Sequence, residues 1–163
     1  MPDSAPALLS RCSRFGRRLL AAQPALAEEI TTRLDEPCTR EWMQAYIDTP
    51  PCADDSALHQ RLRQLRQRVW MRTTARDLVG LADLAEVTAV WSALAEVAIR
   101  AALAFHHAAL AERHGEPRDA HGNPLRLVVI GMGKLGGGEL NVSSDIDLIY
   151  LYPEEGDTAS DDP

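Results

Sequence analysis

Residues 125–152 read LRLVVIGMGKLGGGELNVSSDIDLIYLY, and this stretch decides what the chain can be. Residues 127–130 form a short, continuous apolar run rich in β-branched side chains, the pattern of a strand buried on both faces. That strand delivers the chain into glycines, because Gly131, Gly133, Gly136, Gly137 and Gly138 are five of the ten in the sequence. Such density lets backbone N–H groups approach an anion without obstruction by side chains. Lys134 stands inside the loop as a mobile positive charge, and the other sixteen basic residues are all arginine.

A second element starts at Asp145 and runs Asp-Ile-Asp-Leu-Ile-Tyr-Leu-Tyr. Residues two apart on a strand share a face and lie roughly 6.6 Å apart along it, so the spacing directs the carboxylates of Asp145 and Asp147 to one point. Beyond them both faces turn apolar, with Ile149 and Leu151 on one and Ile146, Leu148 and Tyr150 on the other. Two like charges at the mouth of a buried strand cost stability unless a cation compensates them. Mg²⁺ typically uses one or two carboxylates plus substrate phosphate oxygens. Asp145 and Asp147 are therefore the candidate catalytic and metal-binding pair.

The loop alone admits another reading. Gly131, Gly133 and Gly136 satisfy G-x-G-x-x-G directly after a strand, the dinucleotide-binding fingerprint of a nicotinamide-dependent oxidoreductase. That unit needs a crossover of a dozen or more residues, mostly helix, before its next strand. Only Leu135 to Ser144 separate Lys134 from Asp145, and they include three Gly, Asn141 and two Ser. A P-loop fails as well, since Lys134 precedes the remaining glycines and no Ser or Thr follows it.

Working back toward the N-terminus, everything up to about residue 114 reads as helix, with breaks at Pro24, Pro37 and the pair Pro50 and Pro51. Residues 55–79 carry Leu58, Leu62, Leu65 and Val69 at helical spacing, with Arg61, Arg63, Arg66 and Arg68 between them. The favoured reading of that basic face is solvation and pairing with acids on neighbouring helices, ahead of phosphate binding. A second long helix, over 83–105, starts at Asp83 with Glu86 in capping-box position. His106, His107, His114 and His121 lack the one-turn spacing of a helical zinc pair. Gly115, Pro117, Gly122, Asn123 and Pro124 read as a linker, and residues 154–163 as an acidic tail. Residues 1–27 combine four Arg with a single acid, as an organellar transit peptide does. Leu8, Leu9, Phe15, Leu19 and Leu20 equally form the buried stripe of a first helix.

Composition sets outer limits. A length of 163 residues with 45% hydrophobic content suits a domain with a buried core, and the net charge of -7 opposes bulk attraction to nucleic acid or an anionic membrane. No apolar run is expected to approach the roughly 20 residues that span a bilayer. Three cysteines without histidine neighbours predict free thiols in a reducing compartment.

A Gly-containing turn followed about ten residues later by Ser-Asp-x-Asp resembles the polymerase-β-like nucleotidyltransferases. GMGKLGGGELNVSSDIDLIY is closely similar to the family of bifunctional glutamine synthetase adenylyltransferase/adenylyl-removing enzymes. That family carries two such domains, each preceded by helices, and ELNVSSDIDLI resembles the N-terminal, adenylyl-removing copy. The resemblance implies an α+β fold, with a helical region over 1–124 and the beginning of a nucleotidyltransferase domain of mixed sheet and helices over 125–163. It implies Mg²⁺ on Asp145 and Asp147, and nucleotide or phosphate at Gly131, Gly133, Lys134, Gly136, Gly137 and Ser144. Lys134 stands where the wider superfamily has serine, so that serine's phosphate contact does not carry over. The implied reaction is phosphorolytic removal of AMP from an adenylylated tyrosine of glutamine synthetase, releasing ADP, while the parent also adds AMP from ATP. Glutamine synthetase, a PII-type signalling protein, ATP, ADP, AMP and phosphate are the implied partners, and the cytoplasm the implied location. The superfamily's third carboxylate lies on a later strand than these, so the chain reads as the opening part of a longer enzyme. A non-catalytic nucleotide-binding or regulatory module is the rival reading of another class.

Overall fold

A computed structural model describes residues 4–158, which excludes the last five residues of the acidic tail. Six helices lead, in the order α1 (Ala5–Cys12), α2 (Arg14–Ala22), α3 (Ala25–Thr32), α4 (Arg40–Asp48), α5 (Asp55–Leu78) and α6 (Leu84–His114). They are followed by β1 (Val128–Gly131), the single-turn helix α7 (Gly133–Gly136) and β2 (Leu148–Leu151). The α+β expectation holds, with helices bounded at the expected prolines: α3 starts from Pro24, Pro37 lies between α3 and α4, and Pro50 and Pro51 lie between α4 and α5.

The first apolar stripe folds as two helices instead of one. Ser13 interrupts it by turning extended and accepting the N–H of Gly16 at 3.1 Å, which satisfies an amide at the start of α2. Leu9 and Leu19 are buried with Leu26, Ile30, Met71 and Ala75, whereas Phe15 stays half exposed and meets the Trp70 ring edge-on at 4.8 Å.

Helix α5 is the shared wall of two cores. Met71 and Ala75 face α1–α3, while Leu65 and Val69 face Met43, Ile47, Val90, Trp91, Leu94 and Val97 of α4 and α6. Arg63 and Arg66 stay exposed, as the favoured reading has it, whereas Arg72 is buried against the Trp42 ring. Arg68 pairs with Glu29 of α3, and Arg76 pairs with Glu86 of α6 at 2.7 Å. Arg61 donates to the carbonyls of Tyr46, Ile47 and Pro50, closing the open end of α4.

Helix α6 departs from expectation in two respects. Asp83 accepts the N–H of Glu86 at 2.8 Å, but the Glu86 carboxylate goes to Arg76, so half of the capping box forms. The stronger charged donor wins the acid. The helix also runs to His114, and it is long and apolar enough by length and composition to cross a membrane, with a mean hydropathy of 1.5 over its best window. The expectation of no such stretch overlooked a helix built largely of Ala and Leu with widely spaced charges. Here α6 packs against α4 and α5.

The two strands pair antiparallel, with Val128 opposite Leu151, Val129 opposite Tyr150, Ile130 opposite Ile149 and Gly131 opposite Leu148. One face turns toward the helices at Leu148, which packs against the α4–α6 core, but Tyr150 on that same face is 61% exposed, contrary to expectation. The other face is not buried as expected: Val128, Ile130, Ile149 and Leu151 are each 40–50% exposed. With two strands and helices on one side only, nothing among the described residues covers it.

Candidate metal and phosphate site

The hairpin brings the two sequence signals to one end. The N–H of Met132 donates to the carbonyl of Asp147 at 2.9 Å, extending the ladder one step past the Gly131–Leu148 pair. The chain therefore enters the glycine turn level with Asp147. Asp145 and Asp147 precede β2 instead of lying within it, because β1 has already left the sheet and residues before 147 have no strand to pair with. Both acids are exposed. Water screens their mutual repulsion, so the burial cost that favoured a cation does not apply here. What favours one is the pair of hard oxygen donors beside a glycine turn and a lysine.

The turn is built by close approach. Gly133 adopts φ +54°, which disfavours a side chain, and a Cβ on Gly136 would lie 2.6 Å from the carbonyl oxygen of Gly131. The amides of Gly136, Gly137 and Gly138 bond to the carbonyls of Met132, Gly133 and Leu135 at 3.2, 3.0 and 3.1 Å, and Glu139 N–H bonds to the Lys134 carbonyl at 2.7 Å. These groups hold the turn's own shape. Among the described residues, the amides of Gly133, Lys134 and Leu135 make no such bond, and the Lys134 side chain is exposed. Gly131 is the last residue of β1 and pairs with Leu148. Ser144 folds back on Asn141, its hydroxyl donating to Oδ1 at 2.7 Å and its N–H to the carbonyl at 3.2 Å.

Three residues that the sequence reading passed over fix this loop. Leu135 and Leu140 are buried in the core that holds Val90, Trp91, Leu94 and Val97, and the Leu140 N–H donates to Ser92 Oγ on α6 at 3.1 Å. The signals were two leucines in an otherwise glycine-rich and polar run, and one serine on an apolar helix face.

A cleft of about 1010 Å³ lies at the opposite end of the hairpin and contains none of the candidate residues. Its walls hold Glu116 between His107 and Arg126, each at 3.1 Å. Among the described residues no group of three or more His, Cys, Asp or Glu side chains could hold a metal. The dinucleotide-binding reading fails on topology: the strands are adjacent and antiparallel, and the helix between them has four residues.

Fold and site together define an α+β protein in which helices carry a hairpin with an Asp-x-Asp pair beside a glycine turn. Comparison with known proteins places it more narrowly. The family model for glutamate-ammonia ligase adenylyltransferase matches residues 8–162, and the chain belongs to that family. It is 48% identical over 161 residues, 97% of its length, to a bifunctional glutamine synthetase adenylyltransferase/adenylyl-removing enzyme of Chromobacterium violaceum. It is 47% identical over 151 residues, 90% of its length, to the enzyme of the same name from Nitrosomonas eutropha. The chain spans 18% and 16% of those relatives.

Proposed function

We propose that residues 131–147 form the metal- and phosphate-engaging edge of a nucleotidyltransferase site that acts on glutamine synthetase. The observation that carries this reading is the Met132–Asp147 bond, which sets the glycine turn and its lysine beside the acid pair. The relatives are named for adding and removing adenylyl groups on glutamine synthetase. The likeness of ELNVSSDIDLI to the adenylyl-removing copy selects the second reaction for this part of the molecule. An oxygen of inorganic phosphate bonds to the phosphorus of the AMP–tyrosine phosphodiester, the bond to the tyrosyl oxygen breaks, and that oxygen takes a proton as ADP forms. AMP addition from ATP belongs to the remainder of the enzyme.

Asp145 and Asp147 suit Mg²⁺: two carboxylates open to solvent leave room for the waters and phosphate oxygens that this ion keeps. When bound, it supplies neutralisation of charge building on oxygens around phosphorus. The chain's own contribution is positioning and electrostatics. Lys134 presents an ammonium to non-bridging oxygens, and the amides of Gly133 and Lys134 add donors at the same edge. Gly136, Gly137 and Gly138 contribute the turn's rigidity. The family resemblance adds a cytoplasmic setting and a PII-type signalling protein as the partner that relays nitrogen status.

The test is Asp145→Asn or Asp147→Asn in the full-length enzyme, assayed for Mg²⁺- and phosphate-dependent AMP release from adenylylated glutamine synthetase. Release should fall to background while AMP addition persists. Removal near the wild-type rate by either variant would sink the assignment.

A further inference from the structure

We infer that Ser92 of α6 is a positioning residue for the glycine turn and the acid pair. This rests on reading residues 131–147 as the reactive edge. Ser92 is 4% exposed and lies among Val90, Trp91, Leu94 and Val97, where a hydroxyl is out of place unless both its hydrogen and its oxygen are used. Both are. The hydroxyl donates to the Thr88 carbonyl one turn back at 2.9 Å, which aims its oxygen outward to receive the Leu140 N–H at 3.1 Å.

Leu140 is where the chain leaves the glycine turn for the acid pair, five residues before Asp145. Its side chain is buried and its amide points at a helix whose carbonyls are engaged in their own ladder. A side-chain acceptor at this place on α6 is therefore the means by which the amide is satisfied, and a hydroxyl short enough to sit at the surface of the helix meets the need. Leu135, also buried, pins the other end of the turn. The segment between Leu135 and Leu140 is bonded to itself, through Gly138 N–H to the Leu135 carbonyl and Glu139 N–H to the Lys134 carbonyl. The Ser92–Leu140 bond ties this self-bonded segment to α6. The helical region thereby fixes where Lys134 stands relative to Asp145 and Asp147. A displacement of the order of 1 Å in such a constellation can cost about a hundredfold in rate.

The test compares Ser92→Ala, Ser92→Thr and Asp145→Asn in the full-length enzyme. Ser92→Ala is expected to lower kcat for AMP removal by about ten- to a hundredfold, with KM for adenylylated glutamine synthetase and the rate of AMP addition unchanged. Amide exchange at Leu140 should accelerate while residues 90–97 keep their protection, and Ser92→Thr, which retains the acceptor, should restore turnover. Full turnover by Ser92→Ala alongside an inactive Asp145→Asn would overturn the positioning role and leave the site reading standing. Full turnover by Asp145→Asn would overturn both. Should Ser92→Ala fail to fold, Ser92→Thr decides: turnover with a protected Leu140 amide supports the role, and a folded but inactive protein with that amide protected contradicts it.

Discussion

Lys134 is the only lysine in a chain whose other basic side chains, histidine aside, are guanidinium groups, and it stands exposed on the first turn past β1. Lys134→Ala should weaken phosphate or nucleotide binding about ten- to a hundredfold, the worth of one charge-assisted contact, while Mg²⁺ affinity changes less. Isothermal titration of each ligand separates the two, and equal losses would make Lys134 a general electrostatic contributor. The cysteines offer an independent check on burial. Burial pushes the Cys38 thiol up, against the opposing pull of Arg72, whose Nε lies 2.9 Å from the sulfur. Iodoacetamide at neutral pH should therefore label exposed Cys12 first and Cys38 last in the native protein, as mass spectrometry would read. Glu96 carries a pH signature: its hydrogen bond from Arg40 holds the carboxyl below the usual glutamate range. A depressed folded value means that stabilisation is fully present above the unfolded value, about 4.3, and is lost as pH falls through the folded one. Both side chains are partly exposed, so the effect is modest. Glu96→Gln should flatten the acid limb of Tm against pH.

At the scale of elements, the glycine turn is held by fit as well as by hydrogen bonds. Gly136→Ala drives a methyl group into the Gly131 carbonyl, a backbone atom with no rotamer to give. It should shift the amide resonances of residues 131–138 and lower Mg²⁺-dependent turnover without changing helical circular dichroism; a silent substitution would show the turn to be looser than described. Leu140→Ala removes a buried anchor and should cost about 2–5 kcal/mol, measured by thermal unfolding. Much of this level was legible beforehand. Proline breaks, apolar stripes and capping residues located the helices because those signals are local. The split at Ser13 was missed although its signal, a cap on the amide three residues on, is local; the loss of Glu86 was not legible, since it depends on Arg76 of the preceding helix outcompeting the capping bond. The acid pair was recognised by spacing, yet its place before β2 depends on where β1 leaves the sheet. Ser92 was hidden for the same reason: its meaning comes from Leu140, forty-eight residues later.

For the molecule as a whole, two helical cores share α5, and a two-stranded hairpin rests on one of them with its outer face open. Val128, Ile130, Ile149 and Leu151 form an exposed apolar face that invites association. The 163-residue chain should sediment with concentration-dependent mass, and Val128→Thr with Ile149→Thr should reduce that dependence. Native-state exchange should be slow in α5 and α6 and fast in β1 and β2 of a monomeric sample. Mn²⁺ used as a paramagnetic stand-in for Mg²⁺ tests directly, by nuclear magnetic resonance, whether the glycine turn and Asp145–Asp147 together form a site for a divalent cation. Broadening should centre on the amides of residues 132–134 and 145–147 and vanish in Asp145→Asn/Asp147→Asn. Broadening centred instead on the cleft around Glu116 and Asp157, with residues 145–147 unaffected, would contradict it.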